Sequence, residues 1–414
     1  MKDFTNFEEM FAQSIGLEEP WRIERAEFEE DSRQVHIYVS ANKSAKYPCP
    51  ECGELHKRYD DEENERVWQH GDVVFFPCFV HCRRPRVKCK KCTKTHVVTA
   101  PWSRKGSRYT LLFEAYAMLL AEKLPIEQAR KFVRISHTSF TNIVAYWVSK
   151  AVREDDLTTV EHIGIDETSF KKGQSYVTVV SDAKARRVID VEDNRGALQV
   201  EQFSLKLEQK GGDCNKIKQV ASDMSGAYLS GIANCFPKAK SVIDKFHVKK
   251  LMLDAMDKVR REEQGKEWKQ RKMGRKLLMI PEARMNEQQS EKLIELSKKY
   301  PKTGRAFRMV QSLDVVYAGR DITEGKVAFD KLISWLKRSR LQPMKDVAKT
   351  LLKYEKEILE YFTARLTNAI AEGINSLIQA GKRKARGFRT FNGYSTMIYL
   401  TCSKIVFAPV PLFG

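Results

Sequence analysis

EHIGIDETSFKKGQSYVTVVSDAKARRVIDVED, residues 161–193, decides how this chain folds. It contains three runs rich in Val, Ile, Tyr and Thr: HIGID (162–166), SYVTVVSD (175–182) and RRVIDVED (186–193). A Lys-Lys-Gly turn separates the first two. Short β-branched runs bounded by turn residues predict strands, and three in succession predict a meander. Downstream the pattern becomes helical from Leu198 to Leu207, then apolar in IKQVASD (217–223). It is helical again around Tyr228 to Phe236 and apolar in AKSVID (239–244). Three strands, a helix, a strand, a helix and a strand is the order of an RNase H-like mixed sheet.

Three acids stand where that sheet would use them. Asp166 closes the first run and Asp223 closes IKQVASD. Sites in open α/β sheets form beyond the carboxyl ends of the strands, and these two strands would be neighbours, so the carboxylates should converge. The third acid, Glu372, lies in RLTNAIAEGINSLIQAGKRK (365–384). There Asn368, Glu372, Asn375 and Gln379 make one polar helix face, and Leu366, Ile370, Ile374, Leu377 and Ile378 make an apolar one. A helix packed by that apolar stripe would aim Glu372 sideways or toward the cleft, with Gly373 leaving room beside it. Mg²⁺ prefers carboxylate ligands, and two such ions can activate water and stabilise a leaving phosphate oxygen. The set therefore points to phosphodiester chemistry, although for each acid alone a solvated strand end or helix face is the more usual reading. Glu167 is expected on the opposite strand face from Asp166, and Asp182 in the turn after the second strand. In DKFH, Asp244 and His247 fall just after the fifth strand, close to the site.

The charge balance agrees with a polyanionic partner. Across 414 residues, 73 Lys and Arg against 54 Asp and Glu leave a net charge of +19, and nucleic acid is the first candidate. The opening MKDFTNFEEMFAQSIGLEEP has acids where a signal peptide needs basic residues and lacks a continuous apolar stretch. No segment approaches the roughly 20 apolar residues of a membrane span. A cytoplasmic protein is expected, with its nine cysteines reduced and any cluster of them read first as a metal site.

Six cysteines fall between 49 and 92. Cys49 and Cys52 in CPEC, with Cys89 and Cys92 in CKKC, form two CxxC knuckles suited to a closed tetrahedral structural Zn²⁺ site in a zinc-ribbon-like module. Cys78 and Cys82 should face one side of a strand and pack. His70, His81 and His96 are alternative ligands. From Tyr109 the pattern is helical, with stripes at Leu112, Ala115, Tyr116 and Leu119, at Ile126, Ala129, Phe132 and Val133, and at Phe140, Ile143, Val144 and Trp147. Thr138 is the expected cap of the third helix. The second and third segments have the length and tight turn of a helix-turn-helix, a three-helix linker being the plainer reading. Residues 248–365 lack a convincing strand, and Lys245 to Arg284 carry 13 basic against 6 acidic residues. This stretch reads as an all-helical insertion before the last catalytic helix, a purely structural bundle being the plainer alternative, with Trp268 and Trp335 read as core in preference to wedges into DNA. The expected organisation is an N-terminal helix and hairpin (1–40), a zinc module (41–105) and a helix-turn-helix (106–155). The catalytic core follows in two parts (156–247 and 366–414), flanking the insertion.

The chain resembles the DDE transposases of bacterial insertion sequences, in the group called ISL3. The resemblance runs from CPEC…CKKC through GIDETSFKKGQSYVTVVSD, SDMSGAY and FPKAKSVIDKFHVKK to RLTNAIAEGINSLIQAGKRKARGFRTF, with Thr367 and Ala369 where Ser and Gly are more usual. It implies that Asp166, Asp223 and Glu372 hold two Mg²⁺ (or Mn²⁺) ions and that Asp244 and His247 form an Asp-x-x-His signature. His247 would position the scissile strand or tune the site, or else simply pack beside the strand end. It implies cleavage at transposon ends that frees a 3′-hydroxyl, followed by transfer of that hydroxyl into target DNA without a covalent protein intermediate. Lys382, Arg383, Lys384, Arg386 and Arg389 would hold DNA phosphates, with Phe388 and Phe391 stacking on a base or anchoring the segment. Partners would be double-stranded DNA (terminal inverted repeats and target) and a second copy of the chain, as a homodimer or higher oligomer. A non-catalytic DNA-binding regulator and a structure-specific nuclease are the alternatives.

Overall fold

The computed structural model describes residues 12, 15–171, 175–265, 272–364 and 369–407, without the side chains at 272, 273, 364 and 369–372. Most of the expected N-terminal helix, Trp268, Leu366, Asn368 and the side chain of Glu372 lie outside the described residues. The chain forms two compact units, residues 1–151 with 405–414, and residues 152–404.

The first unit begins with a hairpin, β1 (Trp21–Glu29) and β2 (Gln34–Ala41). Next come β3 (Lys46–Pro48), β4 (Leu55–Asp61), β5 (Arg66–Val73), β6 (Phe76–Cys82), β7 (Pro85–Lys88) and β8 (Thr95–Val97). They form two four-stranded sheets, ordered β1-β2-β6-β5 and β3-β4-β7-β8. Because β2 pairs with β6 in parallel, residues 41–105 do not stand apart from the hairpin, and a division at 40/41 would cut through a sheet. Alternation along β6 turns Cys78, Val80 and Cys82 inward while Phe79 and His81 face out. Cys78 and Cys82 therefore pack, and burial pushes both thiols up to about 12. Trp102 meets Trp21 and Trp68 edge-on, with ring centroids 5.0 and 5.5 Å apart. Each such pair contributes about 0.5–1.5 kcal/mol beyond its buried area.

Three helices complete this unit: α1 (Leu111–Lys123), α2 (Ile126–Phe132) and α3 (His137–Glu154). Thr110 caps α1 by accepting from the Phe113 N–H. Of the expected α1 stripe only Ala115 is fully buried, with Leu112 and Leu119 half-buried and Tyr116 exposed, and the buried face runs through Phe113, Ala115, Ala117, Met118 and Ala121. The stripe failed because the side chain that organises the helix is polar. Glu114 is fully buried, receiving hydrogen bonds from Arg104 (2.8 and 3.0 Å), Ser107 (2.6 Å) and the Trp147 indole (2.6 Å). The cap of α3 is Ser136, whose Oγ accepts from the Ser139 N–H at 3.1 Å, not Thr138. The stripe of α3 is buried as Phe140, Ile143, Val144 and Trp147, whereas on α2 Phe132 is exposed.

The second unit is built on a five-stranded sheet. The strands are β9 (His162–Ser169), β10 (Tyr176–Asp182), β11 (Arg187–Asp193), β12 (Gln219–Ser222) and β13 (Lys240–Ile243), in the order β11-β10-β9-β12-β13. The first three form an antiparallel meander, and β12 is parallel to both β9 and β13. Helices α4 (Ala197–Gln209) and α5 (Gly226–Cys235) pack together, and a Cβ on Gly231 would meet Ala197 Cα at 3.1 Å. Gly164 has a similar reason, since a Cβ there would lie 2.7 Å from Ser181 Oγ on the paired strand.

From Lys245 to Ala364 every described element is helical: α6 (Lys245–Gln264), α7 (Lys272–Leu278), α8 (Glu287–Lys299), α9 (Pro301–Tyr317), α10 (Ile322–Arg338), α11 (Gln342–Lys353), α12 (Glu355–Leu359) and α13 (Tyr361–Ala364). Their core runs through Met252, Phe307, Val310, Phe329, Leu336, Met344 and Ile358, with Trp335 packed against it. That core includes Ile243 of β13, so insertion and sheet are continuous. Two helices end the unit, α14 (Ala369–Lys384) and α15 (Phe391–Cys402). Tyr399 of α15 fixes that helix to β11, accepting from the Val191 N–H (3.0 Å) and donating to Asp190 (3.1 Å).

Candidate active site and metal centres

Pairing of β12 with β9 places Gln219 beside His162 and Ala221 beside Gly164. The offset is 57 residues, the same as the separation of Asp223 from Asp166, so the register carried two residues on sets these acids side by side. Asp166 does not close its strand, because β9 continues to Ser169 through pairing with β10. It is β12 that stops, at Ser222, which opens the sheet edge next to Asp166.

Asp166 Oδ1 accepts from the Glu167 N–H at 2.7 Å, and its Oδ2 accepts from the Asn375 amide on α14. Asp223 Oδ1 accepts from the Ser225 N–H at 3.1 Å. His247, on the first turn of α6, brings Nε2 to 3.8 Å from Asp166 and 3.9 Å from Asp244. Asp244 caps that helix by accepting from the Phe246 N–H at 2.6 Å. Burial raises the pKa of Asp166 against the pull of the Glu167 N–H, His247 and Asn375. Burial also raises Asp223, opposed by His247 and reinforced by Asp166. Two crowded, desolvated carboxylates of this kind gain most from a shared divalent cation, and their oxygens are the donors that Mg²⁺ takes.

Three side chains hold α14 along β9. Besides Asn375 to Asp166, Gln379 donates to Thr168 Oγ1 at 2.8 Å and Lys382 donates to the Ser169 carbonyl at 2.5 Å. The polar face of this helix therefore meets the strand, while Ile374 and Ile378 are buried and Leu377 is exposed. Glu372 stands three residues before Asn375 on α14. Lys382 is tied to the strand end, and Phe388 anchors on Tyr394 with ring centroids 5.4 Å apart. Arg383, Lys384, Arg386 and Arg389 are exposed.

A cleft of about 610 Å³ opens beside Asp223 and His247. Arg195 and Lys250 line it, residues that sequence reasoning missed. The only advance signal was Lys250 standing three residues after His247, on the same helix face. Glu167 lines the cleft through its pair with Arg195 (3.2 Å), although strand alternation turns it away from Asp166. Asp182 ends β10 and accepts from the Lys184 and Ala185 N–H groups in the turn.

In the first unit, two knuckles repeat one geometry. Cys49 receives Gly53 N–H at its carbonyl, and its own N–H bonds the Glu54 carbonyl; Cys89 N–H bonds the Lys94 carbonyl. The fourth residue after the first cysteine of each knuckle, Gly53 or Thr93, has positive φ. The four sulfurs of Cys49, Cys52, Cys89 and Cys92 lie within 4.8 Å of one another, with edges of 4.0 and 3.5 Å. A tetrahedron with Zn–S near 2.3 Å has edges of about 3.8 Å, so the set fits a structural zinc ion. The alternative histidines are engaged elsewhere: His70 with Thr110, and His81 with Glu65 and His36. His96 is not part of the four-sulfur set.

A zinc ribbon and a helix-turn-helix ahead of an acid-bearing mixed sheet with a helical insertion define a DNA-transposing enzyme. A transposase family model, ISL3 type, matches residues 163–398. The zinc-finger of transposases IS204/IS1001/IS1096/IS1165 matches 46–92, and the helix-turn-helix domain of transposase family ISL3 matches 98–155. The transposase for insertion sequence element IS1557 from two Mycobacterium tuberculosis strains is 26% identical over 427 residues, covering 95% of each chain. The transposase for IS1001 of Bordetella parapertussis is 25% identical over 385 residues, covering 91% of this chain and 94% of that one. The chain belongs to the ISL3 family of DDE transposases. It is a DNA-cleaving and strand-transferring enzyme. No helix among the described residues is long and apolar enough to cross a membrane.

Proposed function

We propose that Asp166, Asp223 and Glu372 hold the divalent ions for transposon-end cleavage and strand transfer. The observation that carries this reading is the lateral register of Asp166 with Asp223, together with the Asn375 bond that draws α14 to Asp166. Glu372 lies less than one helical turn before that bond. Two Mg²⁺ (or Mn²⁺) ions there would supply Lewis-acid activation of the attacking oxygen and stabilisation of the leaving one.

The chain's own residues do the positioning. Asn375 fixes one oxygen of Asp166, and the Glu167 N–H fixes the other, leaving the carboxylate a single orientation. His247, 3.8 Å from Asp166 and 3.9 Å from Asp244, would orient the scissile strand. In cleavage a water oxygen bonds to phosphorus as the bond to the 3′-oxygen breaks, leaving a 3′-hydroxyl. In transfer that hydroxyl's oxygen bonds to a target phosphorus as the target's own P–O3′ bond breaks, and the proton lost by the attacking hydroxyl is balanced by one taken up by the released target 3′-oxygen. Arg383, Lys384, Arg386 and Arg389 hold phosphates, and the zinc ribbon and helix-turn-helix read the terminal inverted repeats. Joining two ends implies at least a homodimer on DNA, acting in the bacterial cytoplasm at the nucleoid.

The test is nicking and joining of a duplex bearing the element's terminal repeats in Mg²⁺ or Mn²⁺. Asp166→Asn, Asp223→Asn and Glu372→Gln should each abolish cleavage while leaving DNA binding intact. Full cleavage by Asp223→Asn would overturn the assignment. Binding without cleavage by the unaltered protein would favour a regulator, and cleavage without joining a nuclease.

A further inference from the structure

We infer that a basic cavity between the first zinc knuckle and the turn leading into the helix-turn-helix seats a phosphate of the DNA backbone. The cavity, about 350 Å³, is lined by Glu51 of the knuckle, by Arg66, Trp68 and Arg84, and by Arg104 and Lys105 of the turn. These cations are not equivalent. Arg84 is held by Glu62 in a two-bond pair at 2.8 and 2.7 Å, and Arg104 by the buried Glu114. Their charges are matched, so they shape the wall.

Arg66 is different. It gives one N–H to the Ser107 carbonyl at 3.2 Å and has no carboxylate within 4 Å among the described residues. Its guanidinium carbon lies 5.6 Å from the Trp68 ring centroid. It is thus a fixed donor fork with an unmatched charge, the form that suits a phosphate oxygen pair. Lys105 is 90% exposed and only 3.8 Å from Glu51 at its nearest, a solvated contact that neutralises little. It adds a mobile point charge at the rim. Beyond the paired Arg84 and Arg86, the exposed Arg83, Lys88, Lys90, Lys91 and Lys94 extend the positive surface of the same module. A backbone phosphate seated here would fix the register of the ribbon against the helix-turn-helix without reading sequence. The inference rests on these two modules being the DNA-reading part and does not depend on the carboxylate site.

The test uses the full chain and fluorescence anisotropy from 50 to 300 mM KCl, on a terminal-repeat duplex and a scrambled duplex. Arg66→Ala and Lys105→Ala should each weaken both duplexes alike, by about 3- to 10-fold at low salt. Each should also flatten the plot of log affinity against log salt by about one ion. Arg66→Lys should recover part of the loss. Failure here shows as an unchanged salt slope in these variants, whereas failure of the catalytic assignment shows as full cleavage by Asp223→Asn, so the two outcomes are distinguishable. Zinc content and far-UV dichroism report folding, and Lys105→Ala, at an exposed site, keeps the test valid if Arg66→Ala misfolds. An unchanged salt slope in folded Lys105→Ala would overturn the inference. So would a loss confined to the terminal-repeat duplex. A change in inorganic phosphate binding without one in DNA binding would instead assign the cavity to a free anion.

Discussion

Replacing Glu114 by Ala should be among the most destabilising single changes in the first unit. The carboxylate is fully buried and accepts from Arg104, Ser107 and Trp147 at 2.6–3.0 Å. Removing it strands a guanidinium, a hydroxyl and an indole N–H together. Breaking a buried pair by deleting one partner costs about 3–5 kcal/mol. Arg104 is 20% exposed and also stacks 4.0 Å from the Tyr146 ring centroid, so it can rehydrate in part. That places the expectation at the lower end, about 3 kcal/mol. For a unit of this size, each kcal/mol lowers Tm by about 2–4 °C, giving a drop of about 6–12 °C. Thermal unfolding followed by tryptophan fluorescence measures it. A double-mutant cycle with Arg104→Ala should return a coupling of about 1 kcal/mol or more. A Tm drop below about 2 °C, or additive single mutants, would show that the network is not holding α1 and α3 to the 104–107 turn.

Asn375→Ala should lower end cleavage about 10- to 100-fold with unchanged DNA affinity, because a hydrogen bond to a charged group is worth about 1.5–3 kcal/mol; single-turnover nicking measures it. For His70, burial lowers the pKa to about 4, against about 6.5 when unfolded, so the unfolded state binds more protons between those values. The contribution is whole above pH 6.5 and is lost as pH falls toward 4, by at most about 3 kcal/mol; denaturant unfolding across that window should show a shallower slope in His70→Gln, and identical slopes would refute it. Chelation of zinc should expose the four thiols to a thiol reagent and unfold the ribbon before the 152–404 unit melts, since a closed structural site contributes folding energy directly; a single unchanged transition after metal loss would contradict this.

Much of the second unit was legible because its signals are local. Alternating β-branched runs named β9 to β13 with errors of one to three residues at their ends, and the strand–helix order fixed the sheet class. What was hidden depends on pairing. The end of HIGID looked like a strand end, but β10 pairs with β9 through Ser169 and keeps Asp166 inside the strand. The α14 face was read only in part. Ile374 and Ile378 are buried as its apolar pattern predicted, but Asn375, Gln379 and Lys382 on the polar face answer the open edge of β9. The α1 stripe failed because period alone cannot see a buried carboxylate with three donors waiting for it. The CxxC knuckles were readable because tetrathiolate geometry needs a fixed local spacing, and the cation inequality around Arg66 was not, because it depends on which acids fold back onto which arginines.

The helical insertion raises a question of assembly, since Glu372 arrives 149 residues after Asp223. Lengthening a loop from about 10 residues to the span between β13 and α14 adds only about 2 kcal/mol of closure entropy, because the cost grows with the logarithm of length. The folded insertion reduces even this, for its core incorporates Ile243 at its start and Ile358 and Leu359 near its end, returning the chain to β13. What remains is to orient α14, and the sheet does so at two independent places. Asn375, Gln379 and Lys382 bind β9 along one side, while Tyr399 of the following helix binds Asp190 and Val191 of β11 on the far edge. A helix clamped at one end only could lose the Asn375 bond that keeps it beside Asp166. Loss of Tyr399 should therefore lower cleavage although it lies on the edge strand opposite β13, and Tyr399→Phe, which keeps the ring and removes the hydroxyl, isolates that effect from packing. Cleavage by Tyr399→Phe at the unaltered rate, with Asn375→Ala impaired, would show that the β9 bonds alone orient the helix.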